Sequence, residues 1–355
     1  MHATVRLADL GWDEDRNEEF APFMERGLTP GRVATDHGTA ATVLTERGEV
    51  LATPTGKSRR AGPPAAGDWI ALEELGDGRG VIHALLDRRT VFSRKVAWLE
   101  TDEQVIAANV DVILVVAGLD GDLNPRRLER YLAAAWEGGA QPVVVLTKPD
   151  LCTDLKAALE SLAAVAAGAD VHVVDNLTGD GVEAVRVLLR PTRTAVLVGS
   201  SGVGKSTLIN NLLGEEVLKT GEVRWDGKGR HTTTHRELMT VRGGGCVLDT
   251  PGMRELQLWG TEAGLDAAFD DVARLASGCK FNDCRHDREP GCAVRAAIEA
   301  HALDPDRLAS YRKLQRELRY LETRVDKRAR SEESKRWRKL HGEARARSRD
   351  RGGRR

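Results

Sequence analysis

From about Val110 onward, apolar runs that read as buried strands alternate with stretches whose apolar residues recur at helical spacing. "VDVILVVAG" opens the series, and "PVVVLT", "VHVVD" and "TAVLVG" follow it. Between the first two lies "NPRRLERYLAAAWEGG", a helix with Asn124 as N-cap, Pro125 in its first turn, and Leu128, Tyr131, Leu132 and Ala135 on one side. Gly138 stops it. A second helix is expected over Leu155 to Ala167. Repeated β-α-β units of this kind predict a parallel sheet with helices on both faces. "RELMTV", the glycines 243–245 and "CVLDT" read as a hairpin joined to that sheet.

Ahead of Val110 the pattern differs. From about Arg32 to Arg94 the chain shows short β-type runs, "AATVLTERGEVLAT" and "GDWIALEEL", cut by Gly and Pro turns, which predict a small antiparallel barrel. A stretch in that region that reads as a loop carries Lys57, Arg59 and Arg60, cations able to touch phosphates. Residues 1–30 read as a loosely structured extension. Beyond about Gly260 the pattern is mostly helical, with Leu308, Tyr311, Leu314, Leu318 and Leu321 striped along "DPDRLASYRKLQRELRYLETR" behind an Asp304 N-cap. The expected organisation is therefore an extension (1–31), a β-barrel (32–97), an α/β nucleotide domain (98–260), a helical domain (261–323) and a tail (324–355). The fold class is multidomain α/β.

At 355 residues the chain is long enough for several cores. Its net charge of −1 hides an asymmetry, because 14 of the 53 Lys and Arg but only 5 of the 54 Asp and Glu fall within 324–355. A +9 tail on a −10 body suits contact with nucleic acid, and Trp337 within it could stack on a base. A solvated arm is the alternative. The N-terminus lacks the apolar core of a signal peptide, and the apolar stretch near Val110 to Ala117 is too short to cross a bilayer, so a cytoplasmic protein with no membrane partner is expected.

The chemistry begins with Gly199-Ser200-Ser201-Gly202-Val203-Gly204-Lys205-Ser206, followed by Thr207. This G-x-x-x-x-G-K-S run follows an apolar strand and opens a helix, as a phosphate cradle requires. Its backbone N–H groups would converge on phosphate oxygens, Lys205 would bridge the β- and γ-phosphates as a catalytic cation, and the Ser206 hydroxyl would hold Mg²⁺. Asp249-Thr-Pro-Gly252 ends another strand, placing Asp249 on the magnesium side and the N–H of Gly252 near the γ-phosphate. In "GRHTTTH" Thr233 is the choice for the metal among three threonines. Thr147-Lys148-Pro149-Asp150 selects the base: a carboxylate there accepts both the N1–H and the exocyclic amine of guanine, donors that adenine does not offer together. GTP is expected over ATP.

The order along the chain is unusual, with the base reader about fifty residues ahead of the cradle. A parallel sheet can be cut and rejoined elsewhere without changing its site, so the domain resembles a circularly permuted GTPase. Met253 follows Gly252 and cannot orient an attacking water as a Gln would, which predicts slow intrinsic hydrolysis. His231 is the candidate to position that water, and a surface histidine with no such role is the alternative.

"CKFNDCRHDREPGC" supplies Cys279, Cys284, His286 and Cys292, three thiols and an imidazole within fourteen residues. Such a set suits a closed, structural, tetrahedral zinc site. Cys152 and Cys246 stand apart and read as core residues.

Taken in order, "GDW" (67–69), "RRTVFSRK" (88–95), "NVD" (109–111), "TKPD", "GSSGVGKST", "GRHTTT", "DTPG" and the Cys-Cys-His-Cys cluster resemble the ribosome small subunit-dependent GTPase A family, also called RsgA or YjeQ. The likeness runs over nearly the whole chain from about residue 32. It implies an N-terminal OB-fold, a permuted GTPase domain and a C-terminal zinc domain. It further implies GTP hydrolysis stimulated by the small ribosomal subunit late in that subunit's maturation, with 16S rRNA bound by the flanking domains and His231 as the catalytic histidine. A monomer that exchanges GTP and GDP is expected. A GTP-gated RNA-binding factor with negligible turnover is the alternative. Many members carry Ser-Ala behind the guanine base, where this chain has Asp175-Asn176.

Overall fold

The computed structural model describes residues 5–56, 58, 62–96, 99–163, 165–166, 168–189, 192–218, 237–249 and 262–319. The cations Lys57, Arg59 and Arg60, Leu321, and the basic tail with Trp337 lie outside them.

Five strands close a barrel: β1 (Thr29–Asp36), β2 (Ala41–Thr45), β3 (Gly48–Pro54), β4 (Trp69–Gly76) and β5 (Arg79–Leu85), in the order β1-β2-β3-β5-β4 with β4 returning to β1. Alternation does the building. Val43, Val50, Ala52, Ile70, Leu72 and Ile82 fill the interior, and strand β2 alternates buried with half-buried positions. The barrel is not wholly antiparallel, as the hydrophobic pattern suggested. Strands β3 and β5 pair in parallel, Leu51↔Arg79 to Pro54↔Ile82. Side-chain alternation is the same for either pairing direction, so the pattern could not tell them apart. This closed five-stranded barrel has the strand order of the OB-fold.

The expectation of a loosely structured start is corrected. Residues Leu7–Leu10 form a 3-10 turn and α1 (Glu14–Met24) follows, its Asp13 cap accepting from the Arg16 N–H at 3.0 Å. Leu10 and Phe20 are fully buried, and Trp12 meets Trp69 of the barrel edge-on with ring centroids 4.8 Å apart. Few apolar residues in an acidic stretch hid this segment, yet Leu10, Trp12 and Phe20 are all buried against the barrel.

That face belongs to a joint built from sequence motifs that carry no chemistry of their own. Asp68 of "GDW" is buried and accepts from both Nε and Nη2 of Arg88 at 2.7 Å. Asn109 of "NVD" accepts from Arg16 at 2.8 Å and from the Arg89 N–H at 3.0 Å, and donates to the Gly67 carbonyl at 3.1 Å. Asp111, two residues on, accepts from the Thr194 N–H at 2.7 Å and so fixes the start of the strand that feeds the phosphate cradle. A hairpin, β6 (Val91–Val96) with β7 (Leu99–Ala108), rises from the same joint. The domain boundary expected at 97/98 falls between its two paired strands.

The central sheet holds six strands: β8 (Val112–Gly118), β9 (Gln141–Thr147), β10 (Asp170–Val174), β11 (Thr194–Val198), β12 (Glu237–Thr240) and β13 (Cys246–Asp249), ordered β10-β9-β8-β11-β13-β12. All are parallel except β12, which pairs antiparallel with β13 as the hairpin predicted. Helices α2 (Pro125–Glu137) and α3 (Leu155–Ala163) bury Leu128, Leu132, Ala135 and Leu162 with Ile113, Val115, Val144 and Val196 on one face. On the other, α4 (Val182–Val187) and α5 (Lys205–Leu213) bury Val185, Leu208, Ile209 and Leu212 with Leu114, Val143, Val145 and Leu197. Asn124 caps α2 as expected. Helix α3 ends at Ala163 rather than Ala167, because Val165 and Ala166 turn inward onto the core.

The last module comprises α6 (Glu262–Ala268), α7 (Asp270–Ala276), α8 (Ala293–Glu299) and a helix α9 over 305–319. It docks on α2 through a buried ion pair, Arg307 to Glu129 at 2.8 Å, with both side chains almost fully covered. Arg307 also pairs with Asp271 at 3.0 Å and lies 4.0 Å over the Phe269 ring.

Candidate guanine-nucleotide site and metal centre

Strands β8 and β11 are neighbours, but the chain leaves β8 toward β9 on one side and β11 toward β13 on the other. Their carboxyl ends form the switch point at which open α/β sheets bind ligands. Gly118, Thr147, Gly199 and Asp249 all sit at that edge.

Gly199 leaves β11 with φ 148°, and a Cβ there would lie 2.2 Å from the Val116 carbonyl, so only glycine lets the loop turn so close to β8. Gly202 and Gly204 also take positive φ before α5 begins at Lys205. The N-terminus of α5 thus opens at the mouth of the loop, where its N–H groups and dipole favour an anion. Lys205 Nζ donates to the carbonyls of Gly199 at 2.8 Å and Ser200 at 2.6 Å, folded back over the loop it would serve.

The base reader meets the cradle directly. Thr147, fully buried, donates its hydroxyl to the Val203 carbonyl at 2.6 Å and lies 3.3 Å from the Ala117 carbonyl. Lys148 takes a left-handed φ of 59° and starts the 3-10 turn Pro149–Leu151 that carries Asp150. Its Nζ pairs with Asp120, which the sequence reading missed. Burial works to raise the Asp120 carboxyl, but the bond and charge of Lys148 override it and hold the group below the ordinary carboxylate range. A signal existed: "GLDGD" puts that carboxylate just past the end of β8, at the ligand edge. Ser206 and Thr207 lie in the first turn of α5 and Asp249 ends β13. His231, Thr233, Gly252 and Met253 lie outside the described residues.

In the helical module the ligand atoms of Cys279, Cys284, His286 and Cys292 all lie within 4.8 Å of one another. His286 Nδ1 is 3.5 Å from both Cys279 Sγ and Cys292 Sγ, and those two sulfurs are 3.8 Å apart. Sulfurs bound tetrahedrally at about 2.3 Å from zinc stand about 3.8 Å apart, so the set could hold one such ion. Burial lowers the His286 pKa, and backbone N–H groups of Val294 and Ala293 outweigh burial at Cys279 to lower that thiol, so these two favour their ligating forms, whereas burial and the neighbouring sulfurs push the Cys284 thiol up to about 11. Glu289, also missed in the sequence, organises the loop by accepting from the N–H groups of Arg285 at 3.0 Å, Asp287 at 2.8 Å and Arg288 at 3.0 Å. Its own backbone N–H, together with those of Arg285, Asp287 and Arg288, holds its carboxyl down at about 2. Cys246 is buried and Cys152 half-buried, away from the cluster.

A family model described as RsgA GTPase matches residues 85–259. The "Small ribosomal subunit biogenesis GTPase RsgA" of Opitutus terrae is 48% identical over 361 residues, covering 97% of this chain and 98% of that protein. The chain belongs to the RsgA GTPase family. The protein of the same name from Streptomyces avermitilis is 42% identical over 96% of this chain and 93% of its own length. Among solved structures, YjeQ from Thermotoga maritima matches with a TM-score of 0.63 and 26% identity, over 82% of this chain and 98% of that one. YloQ, described as a circularly permuted GTPase, shares the fold with a TM-score of 0.62 at 24% identity, over 82% and 95%. The permuted order of base reader and cradle is therefore the order of the RsgA fold, and the chain is a GTP-hydrolysing enzyme.

Proposed function

We propose that this GTPase acts on the small ribosomal subunit late in its maturation, docking with GTP bound and leaving after hydrolysis. The observation that carries the nucleotide half is the bond between Thr147 and Val203, which joins base reader and phosphate cradle into one pocket wall. The ribosomal half is supported by the names that close relatives bear over nearly their full length.

Each residue then has a task. Asp150 and Lys148 take the guanine, with Thr147 and Pro149 shaping that turn. The N–H groups from Gly199 through Ser200, Ser201, Gly202, Val203 and Gly204 to Thr207 cradle phosphates, and Lys205 spans the β- and γ-groups. Ser206, Thr233 and Asp249 hold magnesium, and Gly252 reports the γ-phosphate through its N–H. Magnesium, when bound, neutralises charge on the phosphate oxygens as the bond breaks. His231 orients the attacking water, a task Met253 cannot perform. Cys279, Cys284, His286 and Cys292 hold one structural zinc, which leaves no open position for chemistry. Lys57, Arg59 and Arg60 and the +9 tail contact 16S rRNA. The partner makes the cytoplasm the place of action, and among the described residues no helix is long and apolar enough to cross a membrane. The protein works as a monomer.

The test is GTP turnover by the purified protein, alone and with purified small subunits, beside a His231→Ala variant. Subunits are expected to raise turnover at least about tenfold, and the variant to lose that rise. Binding of subunits with flat turnover would make the protein a GTP-gated RNA-binding factor instead.

A further inference from the structure

Asn176 stands where three connections meet. Its Nδ2 donates to the Gly204 carbonyl at 3.1 Å, and its own backbone carbonyl accepts from Asn211 Nδ2 on α5 at 3.0 Å. Asp175 closes the turn that contains Asn176, accepting from the N–H groups of Leu177 at 2.8 Å and Thr178 at 3.3 Å. A carbonyl can only accept, which fixes which end of the carboxamide faces Gly204. The contact is tight: a Cβ on Gly204 would lie 2.7 Å from Nδ2. Asn176 is half-buried, whereas Leu177 at the loop tip is 84% exposed.

The neighbouring carbonyl of the cradle, Val203, is the one held by Thr147. Two consecutive carbonyls at the start of α5 are thus tied to two separate segments of the guanine side: the strand that ends in "TKPD", and the loop that follows β10. An alanine at 176, as in the Ser-Ala of many family members, has no donor to make the second tie.

We propose that Asn176 is a positioning residue for guanine nucleotides, binding the loop behind the base to the last turn of the phosphate cradle so that both move as one unit. A ligand that touches base loop and cradle together gains from that rigidity, because neither part has to be ordered separately on binding. A ligand that touches the cradle alone gains little. This inference rests on the nucleotide site described above.

The experiment uses the full chain with Asn176→Ala and Asn176→Asp, the second keeping the size of the side chain but offering no donor when ionised. Release of a ribose-labelled fluorescent GDP is followed after chase with unlabelled GDP, and the affinity for magnesium pyrophosphate is measured by its competition. Loss of one amide-to-carbonyl bond should speed GDP release about three- to tenfold in both variants, while pyrophosphate affinity stays within about twofold. Thermal melts confirm that each variant is folded. Unchanged GDP release in folded variants overturns the proposal. So does an equal loss for pyrophosphate, which would reduce Asn176 to a prop of the cradle. If the unmodified chain fails to bind GDP, the reading of the site itself fails, a separate outcome.

Discussion

The hydroxyl of Thr147 donates to the carbonyl of Val203 across 2.6 Å, although the two residues stand 56 positions apart in the chain. Permutation has exchanged which segment comes first while leaving the base reader and the cradle in direct contact. Because Thr147 is fully buried, no water can replace that bond if it is lost. Thr147→Val, nearly the same in shape, should destabilise the protein by about 1–3 kcal/mol by stranding the Val203 carbonyl. Urea denaturation read by Trp fluorescence, together with GDP titration, checks this. A variant as stable as the parent would mean that the bond contributes nothing.

Lys148 and Asp120 give a prediction with a pH dependence. The Asp120 carboxyl sits below its ordinary value, so its pairing with Lys148 is intact above the carboxylate range and is lost as pH falls through the depressed value. Asp120→Asn should weaken GDP binding about two- to fivefold at neutral pH, the span expected of a half-exposed pair. It should also flatten whatever weakening the parent shows from about pH 5 down to the onset of acid unfolding. A parallel decline in both proteins would sever Asp120 from base recognition.

Motifs whose partners lie a few residues away were readable in the sequence. The cradle, "TKPD", the caps of α2 and the Cys279 to Cys292 cluster each bring their context along the chain, and buried parallel strands such as β8 advertise themselves as unbroken apolar runs. What stayed hidden depends on distant partners. Asp120 gains meaning only when β8 and β9 align its loop with Lys148. Asn109 looks like an ordinary polar residue until Arg16, Arg89 and Gly67 converge on it. Helix α1 was missed because its interior is polar and contains Pro22, and its stability comes from Phe20 and Arg16 packing on the joint rather than from a continuous apolar stripe.

Arg307 and Glu129 hold the helical module on α2, and their burial sets the sign of the mutational effect. Arg307→Met leaves the Glu129 carboxylate covered and without its 2.8 Å partner, which should destabilise the protein by about 3–5 kcal/mol. Adding Glu129→Met removes the stranded charge and should restore much of the loss, since a buried pair can be replaced by apolar groups at little net cost. Urea melts of the single and double variants decide it. A double variant no better than Arg307→Met would show that the Asp271 and Phe269 contacts of Arg307, not Glu129, dominate.

The metal centre can be tested without reference to nucleotide. Protein purified without chelator should carry one zinc per chain by elemental analysis, and Cys292→Ser should carry little. Cys292 also caps α8 and packs in the same core as Val272, Val294, Leu308 and Leu314, so stripping the metal should loosen the module rather than one loop. Hydrogen exchange should therefore rise across α7, α8 and α9 on treatment with chelator, while the central sheet stays protected. Glu289→Gln separates loop order from ligation. It leaves all four ligands in place but removes an acceptor from a carboxylate that gathers three backbone N–H groups. Zinc should still bind at one per chain and pass to a competing chelator several-fold faster, about the loss of one charge-assisted hydrogen bond. Unchanged release would assign the loop's order to the metal alone, whereas loss of zinc from the Glu289→Gln protein as isolated would make the carboxylate indispensable to the site.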